Sequence, residues 1–125
     1  MCRMAIEPTS SDLERFRAGD NGRPFVLVQL LRFTEGGRVR YLEYSVAVQP
    51  LLRFAGAQLV YGGECTEPLL AGEGQAWDAI VAVRYPNRAA YLRMLEEPAY
   101  AAIAHLRRAA LREAVMLPMD DWPGR

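Results

Sequence analysis

One short pattern occurs twice in this chain, fifty positions apart, and it constrains the fold more than any other feature. An apolar run ending in arginine and an aromatic residue, LLRF at 30–33, is followed after a break by Arg38-x-x-Tyr41-Leu42. AVRY at 82–85 is followed in the same way by Arg88-x-x-Tyr91-Leu92. Each copy reads as strand, break, helix: β-branched and aromatic residues, then Gly36-Gly37 or Pro86-Asn87, then apolar residues at i, i+3, i+4 spacing. A chain of 125 residues holds one domain-sized core, so both units must share one sheet. The repeat is therefore architectural. Arg32 and Arg84 end equivalent strands, and Tyr41 and Tyr91 open equivalent helices.

The remaining elements fit between the copies. Ser11-Asp12-Leu13-Glu14 has the capping-box pattern and predicts a short helix over 12–18, which GDNGRP at 19–24 ends. PFVLVQLLRF is nearly continuously apolar, as suits a strand covered on both faces. Tyr41, Tyr44, Val48, Leu52 and Ala55 predict a helix from Arg38 to Ala55, kinked at Pro50, with Gly56 beyond its end. AQLVYGGEC (57–65) predicts a second strand with a bulge at Gly62-Gly63, and WDAIVAVRY (77–85) a third. Asn87 caps the next helix, Glu97-Pro98 starts another that runs to Arg112, and AVMLPM (114–119) is a last strand.

The order is a short N-terminal helix followed by βαββαβ. It predicts an α+β, ferredoxin-like fold: an antiparallel sheet with helices on one face. In this reading residues 1–23 are an arm, 24–120 the domain and 121–125 a tail. The first and third strands are expected side by side in the centre and parallel, which brings Arg32 and Arg84 together at one end of the sheet. Helices cover one face only, while the strands are apolar on both. A second copy of the chain is the economical cover, so a homodimer is expected.

Charge and cysteine usage exclude several classes of function. Fifteen basic and fifteen acidic residues give a formal net charge of zero, so nothing draws the chain to nucleic acid or an anionic membrane. Every basic residue is arginine, which removes lysine Schiff-base chemistry. Cys2 and Cys65 have no metal-ligand spacing, and a single histidine offers no zinc or non-haem iron site. No nucleotide-binding glycine loop and no G-x-S-x-G elbow is present. No apolar run reaches the ~18 residues of a membrane span, and MCRMAIEPTSSD lacks the continuous apolar region of a signal peptide, so a cytoplasmic protein is expected.

VQLLRF, GAQLVYGGE, WDAIVAVRYPNRAAYLRMLEEPAY and HLRRAAL resemble domain-of-unknown-function family thirteen-thirty of the dimeric α/β-barrel superfamily, over residues 24–120. The stretch WD…VRYP-x-R-x-x-(Y/F)-L-x-M…P-x-Y is the most specific part. The resemblance implies two subunits whose sheets face each other, with a ligand cleft between each sheet and its own helices. Members of that superfamily include antibiotic-biosynthesis monooxygenases, muconolactone isomerases, EthD-like proteins, haem-degrading enzymes and small polyketide cyclases. By that analogy the chain is a cofactor-free isomerase, cyclase or monooxygenase acting on a natural-product-like molecule. Two residues depart from the pattern. Gln29 stands where relatives have asparagine before Leu-Leu-Arg-Phe. Relatives also often have His-Arg near the end of the last helix, where this chain has Leu106-Arg107, with His105 one position early.

Among candidate site residues Arg107 is the most informative. It falls in the middle of the apolar face formed by Tyr100, Ile103, Ala104 and Leu111, and an arginine there must find an anion or carbonyls. The partner is either a ligand carboxylate, enolate or phenolate, or an acidic side chain such as Asp78. Gln29 interrupts the first strand as a buried amide, either orienting a ligand or bonding backbone. Tyr44, Tyr61, Trp77 and Tyr100 supply aromatic lining with polar tips, or simply core. Arg32 and Arg84 form either an anion pocket or a charge network with Glu35, Glu43 or Asp78. His105 falls on the polar face, where a surface role suits it better than ligand binding or haem ligation. In the enzyme reading Arg107 and Gln29 stabilise an enolate while Tyr44 or Tyr100 moves a proton. A small-molecule-binding dimer without turnover uses the same residues. A purely assembling dimer would instead show an exposed apolar patch.

Overall fold

The computed structural model describes residues 5–124, so Cys2 lies outside the described residues. Its elements are α1 (Ser10–Ala18), β1 (Phe25–Phe33), α2 (Gly37–Ala47), α3 (Gln49–Phe54), β2 (Gln58–Glu64), β3 (Ala79–Tyr85), α4 (Arg88–Glu96), α5 (Pro98–Ala110) and β4 (Leu111–Met119). The strands form one four-stranded sheet in the order β2-β3-β1-β4, antiparallel throughout. This is the ferredoxin-like βαββαβ arrangement with an added N-terminal helix.

Strand direction corrects one expectation. β1 and β3 are central neighbours, but antiparallel, with Val26 opposite Arg84 and Leu31 opposite Ala79. β3 follows β2 as a hairpin partner and inserts between β2 and β1, so it opposes both. Arg32 and Arg84 therefore lie at opposite ends of the sheet.

Smaller shifts have local causes. Thr9 and Asp12 make the capping box of α1, one side chain bonding the backbone of the other, so the helix starts earlier than Ser11 suggests. The long helix is two: α2 closes at Val48, and Pro50 sits in the first turn of α3, where its missing N–H is not needed. In β2 the bulge falls between Leu59 and Tyr61 and not at the glycine pair. Asn87 caps α4 as expected, accepting from Ala90 N–H at 2.8 Å.

Helix α5 ends at Ala110 and β4 begins at Leu111, with no connecting residue. The junction is braced from β1: Thr34 N–H donates to the Ala110 carbonyl at 2.9 Å, and its hydroxyl donates to the Ala109 carbonyl at 2.9 Å. Buried Gly37 starts α2 directly against this junction, where any side chain would strike the Ala110 carbonyl oxygen and Thr34 Oγ1.

Phe25, Leu27, Leu31, Ala79, Val83 and Tyr85 are buried on the helix side of the sheet, beneath Tyr41, Tyr44, Leu51, Tyr91 and Leu92. Burial of this apolar and aromatic surface is the main favourable term in folding. The opposite face carries Val28, Leu30, Val115 and the more exposed Ile80 (38%), Leu117 (46%) and Met119 (50%). Among the described residues nothing covers it.

Candidate active-site cleft

Between the sheet and its helices lies a cleft of about 700 Å³. Its floor is set by strand alternation. Gln29 stands opposite Val81 on one side and Met116 on the other, at the sheet centre and facing the helices. Arg107 reaches it from the last turn of α5, where a cation is favoured by the helix dipole.

Arg107 is the only buried charged residue among those described, at 5% exposure. Its Nη2 donates to Gln29 Oε1 at 2.9 Å and lies 3.8 Å from Met116 Sδ; its Nη1 donates to the Ile6 carbonyl. Both oxygen partners are neutral. Among the described residues no carboxylate pairs with it, which corrects the expectation that Asp78 might. Asp78 is committed elsewhere: its carboxylate accepts the Phe33 N–H at 2.8 Å, extending the β1–β3 pairing. The guanidinium is thus hydrogen-bonded but not neutralised. Because Gln29 Oε1 faces Arg107, its amide NH₂ is left as a donor.

The walls are aromatic. Tyr44 Oη and Tyr100 Oη lie 3.1 Å apart with their rings edge to face, and Tyr41 packs on Tyr44. Burial pushes the Tyr41 phenol up to about 12, the Arg107 charge pulling weakly the other way. Burial raises Tyr44 well above its ordinary value, and the neighbouring Tyr100 adds to the effect. Tyr85 and Tyr91 are likewise raised by burial. These phenols stay protonated at neutral pH and can donate a proton or hydrogen bond. The lining carboxylates are exposed and paired: Glu7 with Arg108 at 3.6 Å, and Glu64 with Arg38.

Of the residues singled out by sequence, the cleft gathers Gln29, Tyr44, Tyr100 and Arg107. The other five lie away from it. Arg32 is stacked over Trp77 at 4.1 Å and bound to Glu113 at 2.6 Å and to the Ala76 and Gly74 carbonyls, a structural clamp on the β2–β3 loop. Arg84 pairs with Asp121 at 3.2 Å. His105 is exposed on the solvent side of α5. Tyr61 is 69% exposed and opposes Ala82, on the face away from the helices. Sequence reasoning missed Tyr41 and Tyr91 as lining, although their helical spacing with Tyr44 and Met94 pointed inward. It also missed the Ile6 carbonyl, which no side-chain pattern announces. No group of three or more His, Cys, Asp or Glu side chains comes together to hold a metal among the described residues, and no described helix is long and apolar enough to cross a membrane.

Fold and cleft together define a ferredoxin-like α+β protein with a solvent-reachable, arginine-based pocket on the helix side of its sheet. The chain belongs to the family described as Domain of unknown function (DUF1330), which matches residues 25–119. No curated protein matches. Among solved structures, a Rhodopseudomonas palustris protein of unknown function is similar at 24% identity and a TM-score of 0.85, over 95% of this chain and 98% of that one. A dimeric ferredoxin-like protein of unknown function from Jannaschia sp. CCS1 is similar at 12% identity and a TM-score of 0.61, over 78% of this chain and 99% of that one. A dimeric protein of unknown function with a ferredoxin-like fold from Bacteroides fragilis gives 10% identity and 0.56, over 78% and 96%. At these identities the likeness concerns the fold.

Proposed function

We propose that this protein is a cytoplasmic homodimer whose cleft takes a small hydrophobic molecule bearing a carboxylate, phenolate or enolate, and that it acts on such a molecule as a cofactor-independent enzyme of the isomerase or cyclase type. The observation that carries the reading is Arg107: a buried guanidinium held by two neutral oxygens in an aromatic cleft of ligand size. An anion entering the cleft would supply the missing countercharge and accept from the Gln29 amide as well. With an enolisable substrate the same donors would stabilise the enolate oxygen. For a substrate entering as its enol, the hydroxyl proton would pass to solvent and a protonated Tyr44 would deliver its proton to the enolate carbon. Tyr44 would recover one from solvent through Tyr100, its hydroxyl neighbour at 3.1 Å; the reverse of these steps exchanges the α-proton. The apolar sheet face supports pairing with a second copy, as does the dimeric description of two structural neighbours.

A second reading, binding without turnover, has its own support: the histidine is on the solvent side, and the lining carboxylates are exposed and paired with arginines, so among the described residues none of these groups is free to serve as a general base. One experiment separates the two. Phenylpyruvate and a panel of related keto acids are incubated with the protein in D₂O, and α-proton exchange is followed by NMR. The enzyme reading expects accelerated exchange, lost in Arg107→Gln and in Tyr44→Phe. Saturable binding with uncatalysed exchange selects the binding reading, and no binding of any acid rejects both.

A further inference from the structure

Residues 5–8 run beside the cleft without forming helix or strand, and they hold on at three points. The Ala5 carbonyl accepts the Ala114 N–H at 2.8 Å, beside the outer edge of β4. The Ile6 carbonyl accepts from Arg107. Glu7 pairs with Arg108 at 3.6 Å, both side chains close to half exposed. The segment has hollow space on both sides. Glu7 and Pro8 line the main cleft and also a second cavity of about 630 Å³, walled by Phe16, Leu27 and Pro118.

We propose that this segment is a strap latched by Arg107, and that an anionic ligand unlatches it by taking the guanidinium from the Ile6 carbonyl. The inference rests on the reading of the cleft as an anion site. The bond from Arg107 to the Ile6 carbonyl is already charge-assisted, but the carbonyl is neutral; a ligand carboxylate can accept two such bonds from the guanidinium and also cancels its charge. The other two holds are weak: an exposed ion pair contributes little, and one edge hydrogen bond exchanges readily for water. Once released, the strap leaves Leu13, Tyr91 and Met116 between the two hollows, an apolar partition along which the tail of an acidic ligand could reach the second one.

Hydrogen exchange of the Ala114 amide, measured on the full chain, reads the strap directly. Saturating phenylpyruvate should speed that amide at least tenfold, while the Leu27 and Val83 amides in the sheet centre keep their rates. In the ligand-free protein Arg107→Met should speed it similarly, and Arg107→Lys, which can still donate, should restore much of the protection. An Ala114 amide that is slowed or unchanged when phenylpyruvate binds overturns the strap and leaves the cleft reading standing. If wild type binds no acid, the cleft reading fails and Arg107→Met alone decides: faster exchange supports the latch, and unchanged exchange removes it.

Discussion

Replacing Gln29 with glutamate tests the central claim about Arg107 with almost no change of shape. The side chains are isosteric, and the oxygen already lies 2.9 Å from Arg107 Nη2. The substitution places a carboxylate where the guanidinium now has only neutral partners. An adjacent arginine lowers a carboxyl pKa by about 1–3 units, and each unit is worth about 1.4 kcal/mol. Gln29 is half-buried, so desolvating the new charge takes back part of that gain. The net expectation is a gain of about 1–2 kcal/mol at pH 7, or about 4–8 °C in melting temperature for a domain of this size. The folded pKa of the introduced carboxyl lies below its unfolded value of about 4.3, so the gain is complete above about pH 5 and disappears as pH falls through the folded value. Thermal unfolding of wild type and Gln29→Glu from pH 3 to 7, at one protein concentration, measures both. Calorimetric titration with phenylpyruvate should show affinity falling at least tenfold, because the new carboxylate occupies the charge the ligand needs. A variant that melts lower than wild type at pH 7, or whose difference from wild type does not depend on pH, would refute the idea that Arg107 lacks a countercharge.

Three further expectations follow from other parts of the molecule. Tyr41, Tyr44, Tyr85 and Tyr91 are buried with raised phenol pKa values, so the unfolded chain loses protons above pH 10 that the folded chain keeps; stability should fall by about 1.4 kcal/mol per pH unit for each, giving a steep denaturant-midpoint decline between pH 10 and 12. In the proposed homodimer Leu117→Asp would put a charge on the sheet face and twofold symmetry would count it twice; dimer dissociation should rise about 1,000-fold, seen as a monomer by light scattering, and a variant that stays dimeric would reject this face as the interface. Gly37→Ala forces a methyl against the Ala110 carbonyl and Thr34 hydroxyl, so urea unfolding should show a loss of about 1–3 kcal/mol, whereas a neutral result would mean the junction can yield.

The repeat made the topology legible because apolar periodicity reports element type and order. It did not report strand direction, since a strand's alternation is the same whichever way it runs; the hairpin from β2 to β3 decides that. Arg107 was legible as a charge on an apolar helix face, and Gln29 as a polar break in an apolar strand. Tyr61 shows where alternation fails. Two residues beyond Leu59 it should share that residue's face, but the bulge between them turns it to the other side. Trp77, which could be lining or core, and Arg32, which could serve an anion pocket or a charge network, form a clamp together with Glu113, because each satisfies the other before any ligand is needed. The strap's carbonyl could not be read at all, because a backbone oxygen in an irregular segment leaves no mark in the residue pattern.

The direct passage from α5 into β4 also bears on how such a chain can change over generations. A single inserted or deleted residue at Ala110-Leu111 would either swing Arg107 by about 100° around the helix or turn every β4 side chain to the opposite face. Residues 66–73, in the exposed loop between β2 and β3, can lengthen or shorten without either penalty. Variation in length should therefore collect there, and descendants of this chain should explore new ligands by substitution around a fixed arginine.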